Sequence, residues 1–468
     1  MIFINPFAYY SYRSPSIGML YIAAWLRRNE SPASYLDCNY RRNWDSLLKT
    51  RLKEHTTAGI TANVLTIAPA LHVARRIREN SPSTRIVMGG PYPSVEYEKL
   101  VPEFADVVVI GEGEETALEL AKETPLENVR GIAYSDSGPG AGDRAPGNPG
   151  FKVNPPRSLI RDLDGLPFPA WDMGDVKKYY VPHTRRPPVL PMITSRGCPF
   201  HCIYCGSNII HKGRLRYRSV ENVIAEVDEV YHRYGVREIH FWDDNFTLPP
   251  ARAMEICDRI AERRYRDLHL AVPAGIRPDI GNDELFQKMA RAGFYKVAVA
   301  VETGDQEIMD KIGKKIDLSK VKDTILAIRR AGIYTSGFFM LGLPFDTVKT
   351  MEKTIAFACS LPLNQAQFFL TVPFPGTELH AMVKREGRFI YQVDGRFWNK
   401  GYFLGKASYE MPGFSAATLE RMYRLAYRRF FLRPSQILRV APGRMRSPRD
   451  LFYVSIKALS VILKGRGA

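Results

Sequence analysis

Short apolar runs alternate with longer segments of helical spacing along the first quarter of the chain. Residues 2–4 form an apolar run ended by Asn5-Pro6, and after Ser16 the apolar positions of residues 17–26 recur at helical spacing and length. Further strand-like runs fall at 34–36, 58–61, 85–88 and 106–110, and stretches such as 71–79 between them suit helices. This pattern predicts a doubly wound, Rossmann-like α/β domain with about five parallel strands over residues 1–125. Two of those strands end in glycine turns, Gly89-Gly90-Pro91 and Gly111-Glu112-Gly113-Glu114. Glycine at a strand's carboxyl end lets a bulky ligand approach the backbone, although tight strand-to-helix turns alone would also account for it.

The alternation breaks between residues 126 and 188, where a Gly-, Pro- and Asp-rich stretch (135–150) separates two short apolar runs, as in a hairpin followed by a linker. It resumes at Pro191, with strands expected at 192–194, 238–242, 269–272, 296–301, 335–340 and 365–371 and helices between them. Six such units without a seventh and eighth predict a partial barrel over 189–375. Residues 376–468 read as a helical region.

The chain has 468 residues, 45% of them hydrophobic, enough for more than one packed core. Its formal charge of +17 draws polyanions whatever the fold, so it raises nucleic acid and anionic membranes without choosing between them. No apolar run approaches the roughly 20 residues that cross a bilayer, and the first residues lack a signal peptide's basic start, so a cytoplasmic protein is expected. The six cysteines are too few for a disulfide scaffold, and three of them lie within eight residues. That clustering points to metal.

Those three are Cys198, Cys202 and Cys205, in Ser195-Arg196-Gly197-Cys198-Pro199-Phe200-His201-Cys202-Ile203-Tyr204-Cys205-Gly206. The C-x3-C-x2-C spacing directly follows the first strand of the second series, and three thiolates can wrap one face of an iron–sulfur cluster while a fourth iron stays open. Zinc would want a fourth ligand, which His201 or His211 could supply. A bacterial ferredoxin run would show C-x2-C-x2-C with a further Cys-Pro.

This motif, on the loop after the first strand of a partial (βα)6 barrel and with an aromatic residue, Tyr204, before the third cysteine, resembles the radical S-adenosylmethionine (SAM) superfamily. The resemblance implies a four-iron, four-sulfur cluster on the three cysteines and SAM bound at its open iron. It further implies one-electron cleavage of SAM to a 5′-deoxyadenosyl radical, with the electron drawn from an external donor such as flavodoxin or ferredoxin. It also places SAM contacts at Tyr204, at Asp243 and Asp244 after the second barrel strand, at Glu302 and Thr303 after the fourth, and at Gly342 after the fifth. Either aspartate could instead cap a helix. Cys257 and Cys359 fall on expected helices and read as buried structural residues.

Together with the barrel, the segments Ser16–Ala23, Met88–Pro93 and Gly111–Thr116, and the linker Leu166-Pro167-Phe168-Pro169-Ala170-Trp171-Asp172, resemble the cobalamin-dependent branch of that superfamily. Cobalamin contacts are then expected at Thr61, Gly89, Gly90 and Gly113. One departure stands out. The Asp-x-His-x-x-Gly pattern whose histidine ligates cobalt in other corrinoid domains has as its nearest match Asp37-Cys38-Asn39-Tyr40-Arg41-Arg42, with neither histidine nor glycine. The resemblance implies methylation of an unactivated carbon of a small or lipid-like metabolite, or another radical reaction on the same scaffold, such as oxidative cyclisation or ring contraction. A methylthiotransferase would need further cysteines in the N-terminal domain, where only Cys38 lies.

Residues 421–468 carry twelve Lys or Arg against the single acid Asp450, interleaved with aromatic residues. An amphipathic helical cap with a solvated basic face is one reading. Another is peripheral membrane contact, with residues 451–463 burying an apolar face in lipid. RNA binding is disfavoured, since no RNA-binding module accompanies the charge.

Overall fold

The computed structural model describes residues 1–7, 13–40, 43–135, 150–181, 184–390, 405–434 and 436. The five expected strands form as β1 (Ile2–Asn5), β2 (Ser34–Asp37), β3 (Thr57–Thr61), β4 (Arg85–Gly89) and β5 (Val107–Val109), all parallel. The expected hairpin, β6 (Ile132–Ser135) and β7 (Phe151–Val153), joins the same sheet antiparallel, giving the order β2-β1-β3-β4-β5-β6-β7. The strand order reverses at β1. A crevice therefore opens at the carboxyl ends of β1 and β3, where open α/β sheets bind ligands. Helices cover both faces, so all four residues of β1 are buried and its sequence is continuously apolar up to Asn5.

The second sheet holds six parallel strands: β8 (Val189–Met192), β11 (Glu238–Phe241), β12 (His269–Ile276), β13 (Phe294–Glu302), β14 (Tyr334–Leu341) and β15 (Gln365–Leu370). Between β8 and β11 lie two-residue strands β9 (Ser195–Arg196) and β10 (Arg216–Tyr217), paired antiparallel. The sheet is an open partial barrel with β8 and β15 at its ends. Its first strand starts earlier than expected, at Val189 rather than Met192, with Pro191 inside it opposite His240. Proline serves there because β8 is an edge strand, whose outward side needs no ladder N–H.

One core reaches both sheets, beside two smaller clusters that belong to the N-terminal sheet alone. It runs from Leu20, Ala24 and Leu26 of the helix Ile17–Arg28, through Trp171 and Tyr179 of the linker, to Val223 and Val227 of the helix Val220–His232 behind the barrel. Trp171 is 1% exposed. At the open edge of the barrel the helix Ala416–Phe431 lays Leu419, Met422, Ala426 and Phe430 inward, and the Tyr427 hydroxyl donates to the Phe368 carbonyl of β15 at 3.3 Å. The start of the basic segment is thus an amphipathic cap. Residues 437–468, including 451–463, lie outside the described residues. No helix among the described residues is long and apolar enough to cross a membrane.

Candidate active site

The cysteine loop leaves the carboxyl end of β8 and is closed at its base by the β9–β10 ladder. Gly197 takes φ 91°, and a Cβ there would lie 2.2 Å from the Arg214 carbonyl oxygen, so the two sides of the loop meet only because this residue is glycine. The Cys205 N–H donates to the Cys202 carbonyl at 3.0 Å, and the Ile203 N–H to Ile312 at 3.1 Å. All three thiols are half-buried. Burial raises each of them, Cys205 to about 12, against backbone N–H groups of Phe200 and Ser207 that favour the thiolates of Cys198 and Cys205. The Arg277 guanidinium opposes the rise at Cys198 and Cys202, and the Lys314 ammonium opposes it at Cys202. Cys198 and Cys205 each feel Cys202, so the three thiols form one electrostatic group. Among the described residues no three Cys, His, Asp or Glu side chains converge as on a single metal ion. Three thiols on one loop, met by N–H donors and buried cations, fit an iron–sulfur cluster whose charge those groups would balance.

The neighbouring carboxylates divide by burial. Asp243 is fully buried and accepts from the Thr194 N–H at 3.1 Å, the Thr194 hydroxyl at 2.7 Å and the Ser195 hydroxyl at 2.5 Å. It ties the end of β11 to the start of the cysteine loop. Asp244, one residue on, is exposed, accepts from the Ser207 hydroxyl at 2.6 Å and interacts with Cys198 and Cys205. Glu302 ends β13 with φ 73°, a left-handed conformation that costs a non-glycine residue roughly 1–3 kcal/mol. A register shift between Ala300 and Glu302 accompanies it, and the Lys314 ammonium, itself buried, holds the carboxylate at 2.7 Å. Arg277 donates to the Lys314 carbonyl at 2.8 Å, pairs with Asp279, and lies 3.7 Å over the Phe200 ring, so the same cationic group braces the cysteine loop.

Three expected SAM contacts are placed differently from Asp244. Tyr204 packs beside Cys202 within the loop. Thr303 is fully buried with its hydroxyl shared between the Thr354 hydroxyl, at 3.1 Å, and the Asp305 N–H, at 3.2 Å, so its side chain is occupied inside the fold. Gly342 takes φ 82°, directs its Cβ position to 2.7 Å from Leu419 in the C-terminal helix, and donates its N–H to Asp346.

A cavity of about 580 Å³ lies between the carboxyl ends of the two sheets. Thr61, Gly89, Gly90 and Gly113 all line it from the N-terminal side, while Ile193, Gly197, Trp242 and Asp244 line it from the barrel. Gly18 and Gly111 also border it, and a Cβ on either would meet no protein atom within 4 Å, so side chains there would project into the space. Such a backbone-walled cradle fits a large flat cofactor. No histidine lines it from the N-terminal sheet; His211 lines it from the barrel side, with Nδ1 accepting from Arg216 at 3.1 Å and burial lowering its pKa.

The sheets are locked together across this cavity by a buried ion-pair network that the sequence reading did not foresee. Arg196 donates to Glu112 at 2.9 Å and to Glu114 at 2.6 Å, and Arg216 donates to Glu112 at 2.8 Å. Burial pushes the Glu112 carboxyl up, but the two guanidinium groups outweigh it and hold the carboxyl below its usual range. The glutamates of the Gly111-to-Glu114 turn thus dock the strand two residues before Cys198. The alternating Gly-Glu pattern was the visible signal; its partners, some 80 to 100 residues away, were not.

Comparisons with known proteins agree with this architecture. Residues 7–121 match the B12 binding domain model and residues 192–358 the radical SAM superfamily model. An uncharacterised methyltransferase of Pyrococcus horikoshii is 29% identical over 432 residues, covering 91% of this chain and 89% of that protein. An anaerobic magnesium-protoporphyrin IX monomethyl ester cyclase of Cereibacter sphaeroides is 27% identical and covers 69% of this chain, which spans about half (52%) of that protein. The solved structure of the radical SAM methyltransferase TsrM of Kitasatospora setae superposes with a TM-score of 0.70 at 17% identity, over 90% of this chain and 88% of that one. The chain is an enzyme of the radical SAM superfamily, and it belongs to the branch that carries a B12-binding domain ahead of the barrel. Its cofactors are a four-iron, four-sulfur cluster, SAM and cobalamin.

Proposed function

We propose that this enzyme methylates an unactivated carbon of a small or lipid-like metabolite. The observation that carries the reading is the single cavity on which the glycine turns of the B12-binding sheet and Asp244, beside the cysteine loop, both open. Substrate held there would face both cofactors at once. In this reading Cys198, Cys202 and Cys205 would hold the iron–sulfur cluster at which SAM is cleaved. Asp244 takes the SAM amino group, and Asp243 positions the loop from behind. Glu302, fixed by Lys314, faces the remainder of SAM, and the backbone at Gly342 borders the adenine. Thr61, Gly89, Gly90 and Gly113 would border cobalamin, and the described residues of their sheet offer it no imidazole. The cofactors supply a carbon radical from SAM cleavage and a methyl group in transit; the protein's residues orient both and keep water out.

The Pyrococcus relative's name supports methyl transfer, and the cyclase relative supports a second reading, a radical carbon-skeleton change without methylation. Product analysis separates them. Methyl transfer consumes SAM in two ways, so the reduced, cobalamin-loaded enzyme should form S-adenosylhomocysteine as well as 5′-deoxyadenosine. Formation of 5′-deoxyadenosine alone, from protein loaded with corrinoid, would favour the second reading.

A further inference from the structure

The inner face of the partial barrel carries polar groups that neither cofactor site uses. Successive side chains along a strand point to opposite faces, and on β14 and β15 the two faces differ. Phe339, Leu341 and Phe368 point outward and are sealed beneath helices, whereas Phe338, Met340, Gln367 and Phe369 point inward and are only half-buried. The lumen is therefore open. Ala298 and Ala300 of β13 sit beside Ser336 and Phe338 on the same inner face, and a Cβ on Gly275 of β12 would lie 3.3 Å from the Ala300 Cβ, so small residues keep the wall back there. The T-shaped rings of Phe338 and Phe369, 5.6 Å apart, and the Met340 thioether make the upper wall apolar. Trp242, which lines the cavity between the sheets, shares the inner face with His240 two residues before it, so the lumen continues from that cavity.

Two atoms on this face, His240 Nδ1 and Ser336 Oγ, are buried with no hydrogen-bond partner among the described residues, on side chains 5% and 1% exposed. Buried polar atoms of a folded protein are nearly always met, so each calls for a partner that these residues do not supply. The neighbours of His240 fix which kind. Glu238, at the foot of β11, accepts from the Arg185 and Arg186 N–H groups, both at 2.7 Å, and from the Tyr295 hydroxyl at 2.6 Å. Burial pushes its carboxyl up, but bonds from His240, Tyr295 and Arg186 outweigh burial and hold it below its usual range. A carboxylate only accepts, so the 2.9 Å contact with His240 Nε2 places the proton of the neutral ring on Nε2 and leaves Nδ1 an acceptor. The charge of Glu238 is already met by these donors, so Nδ1 calls for an uncharged donor rather than a cation. Resting on the reading that the methyl acceptor is a small or lipid-like metabolite, we propose that the lumen selects an apolar molecule bearing a hydroxyl group. The hydroxyl donates to His240 Nδ1, Ser336 adds a second polar contact, and Glu238 is a positioning residue that fixes the His240 tautomer.

Calorimetry on the reconstituted full-length enzyme, without SAM, compares octanol with its isomer heptyl methyl ether, which matches it in size but has no O–H. Wild type should bind octanol at least about tenfold more tightly, since the ether leaves the buried acceptor unmet. His240→Gln keeps a donor for Glu238 but has no acceptor at the Nδ1 position, and it should bring the two affinities within about twofold of each other. His240→Asn carries an amide oxygen near that position and should restore most of the preference, which a merely structural role for His240 would not. Ser336→Ala should weaken octanol binding by a smaller factor. Equal affinities in wild type, no saturable octanol binding, or a preference that survives His240→Gln overturns the proposal. So does loss of iron in both His240 variants, which would make the ring part of the barrel's own structure. Failure of the methyl-transfer reading shows separately, as absence of S-adenosylhomocysteine from turnover, because this titration involves no SAM.

Discussion

At the scale of single residues, the adjacent aspartates after β11 show how burial divides like side chains into different tasks. Asp243 gives its oxygens to Thr194 and Ser195, and burial raises its pKa against those hydrogen bonds. Asp243→Asn leaves part of that network unmet, which costs about 1–3 kcal/mol and loosens the start of the cysteine loop. Asp244→Asn leaves the fold as it is. The expected outcome is lower iron content and a lower unfolding midpoint for the first variant, and weaker SAM binding at normal iron content for the second. Equal loss of iron in both would contradict the division. The cysteine triad was legible in the sequence because its spacing is local. The difference between Asp243 and Asp244 was not, because it depends on Thr194 and Ser195 arriving from another strand. The burial of Thr303 was not legible for the same reason: the helix that carries Thr354 takes up its hydroxyl.

Among the elements, the turn after β14 is held by Asp346, which accepts from the Gly342 and Leu343 N–H groups at 3.0 and 2.9 Å. Burial pushes its carboxyl up from 3.8 to about 6 despite these bonds and one from Thr350. The folded protein therefore binds a proton more tightly than the unfolded chain. The associated stability, on the order of 3 kcal/mol, is present below about pH 4 and is lost as pH rises through about 6. Asp346→Asn keeps an acceptor for both N–H groups and removes the titration. Denaturant unfolding of the variant should show a flatter dependence between about pH 4 and 6 and stability at pH 7 no lower than wild type. A large loss at pH 7 with an unaltered slope would mean that the ionised carboxylate is required. Element types were legible from periodicity and composition throughout both sheets. The bounds of β8 were not, because the tolerance of Pro191 follows from its place at a sheet edge, which only the assembled barrel defines.

At the scale of the whole molecule, both sheets point their carboxyl ends into one cavity, and Glu112 is the residue that binds one side to the other. Glu112→Gln leaves Arg216 without its buried carboxylate and weakens the hold on Arg196, a change that costs about 3–5 kcal/mol where a buried pair is broken. Hydrogen exchange across residues 111–116 and the 195–216 loop should rise together, and corrinoid retention should fall. Exchange that rises on one side only would show that the lock does not couple them. The order of domains could be read from the sequence, whereas their mutual placement could not, since each ion pair joins residues far apart in the chain.

The central claim is that this cavity brings cobalamin and the cluster-bound SAM to one substrate. It is tested most directly by reconstituting the protein anaerobically with iron, sulfide and cobalamin, then measuring corrinoid per chain after gel filtration, by absorbance and mass spectrometry. About one corrinoid retained per chain is the predicted result, with retention reduced on Glu112→Gln. Protein that retains none, yet still cleaves SAM to 5′-deoxyadenosine, would contradict the account and leave the N-terminal sheet a docking or substrate-binding domain.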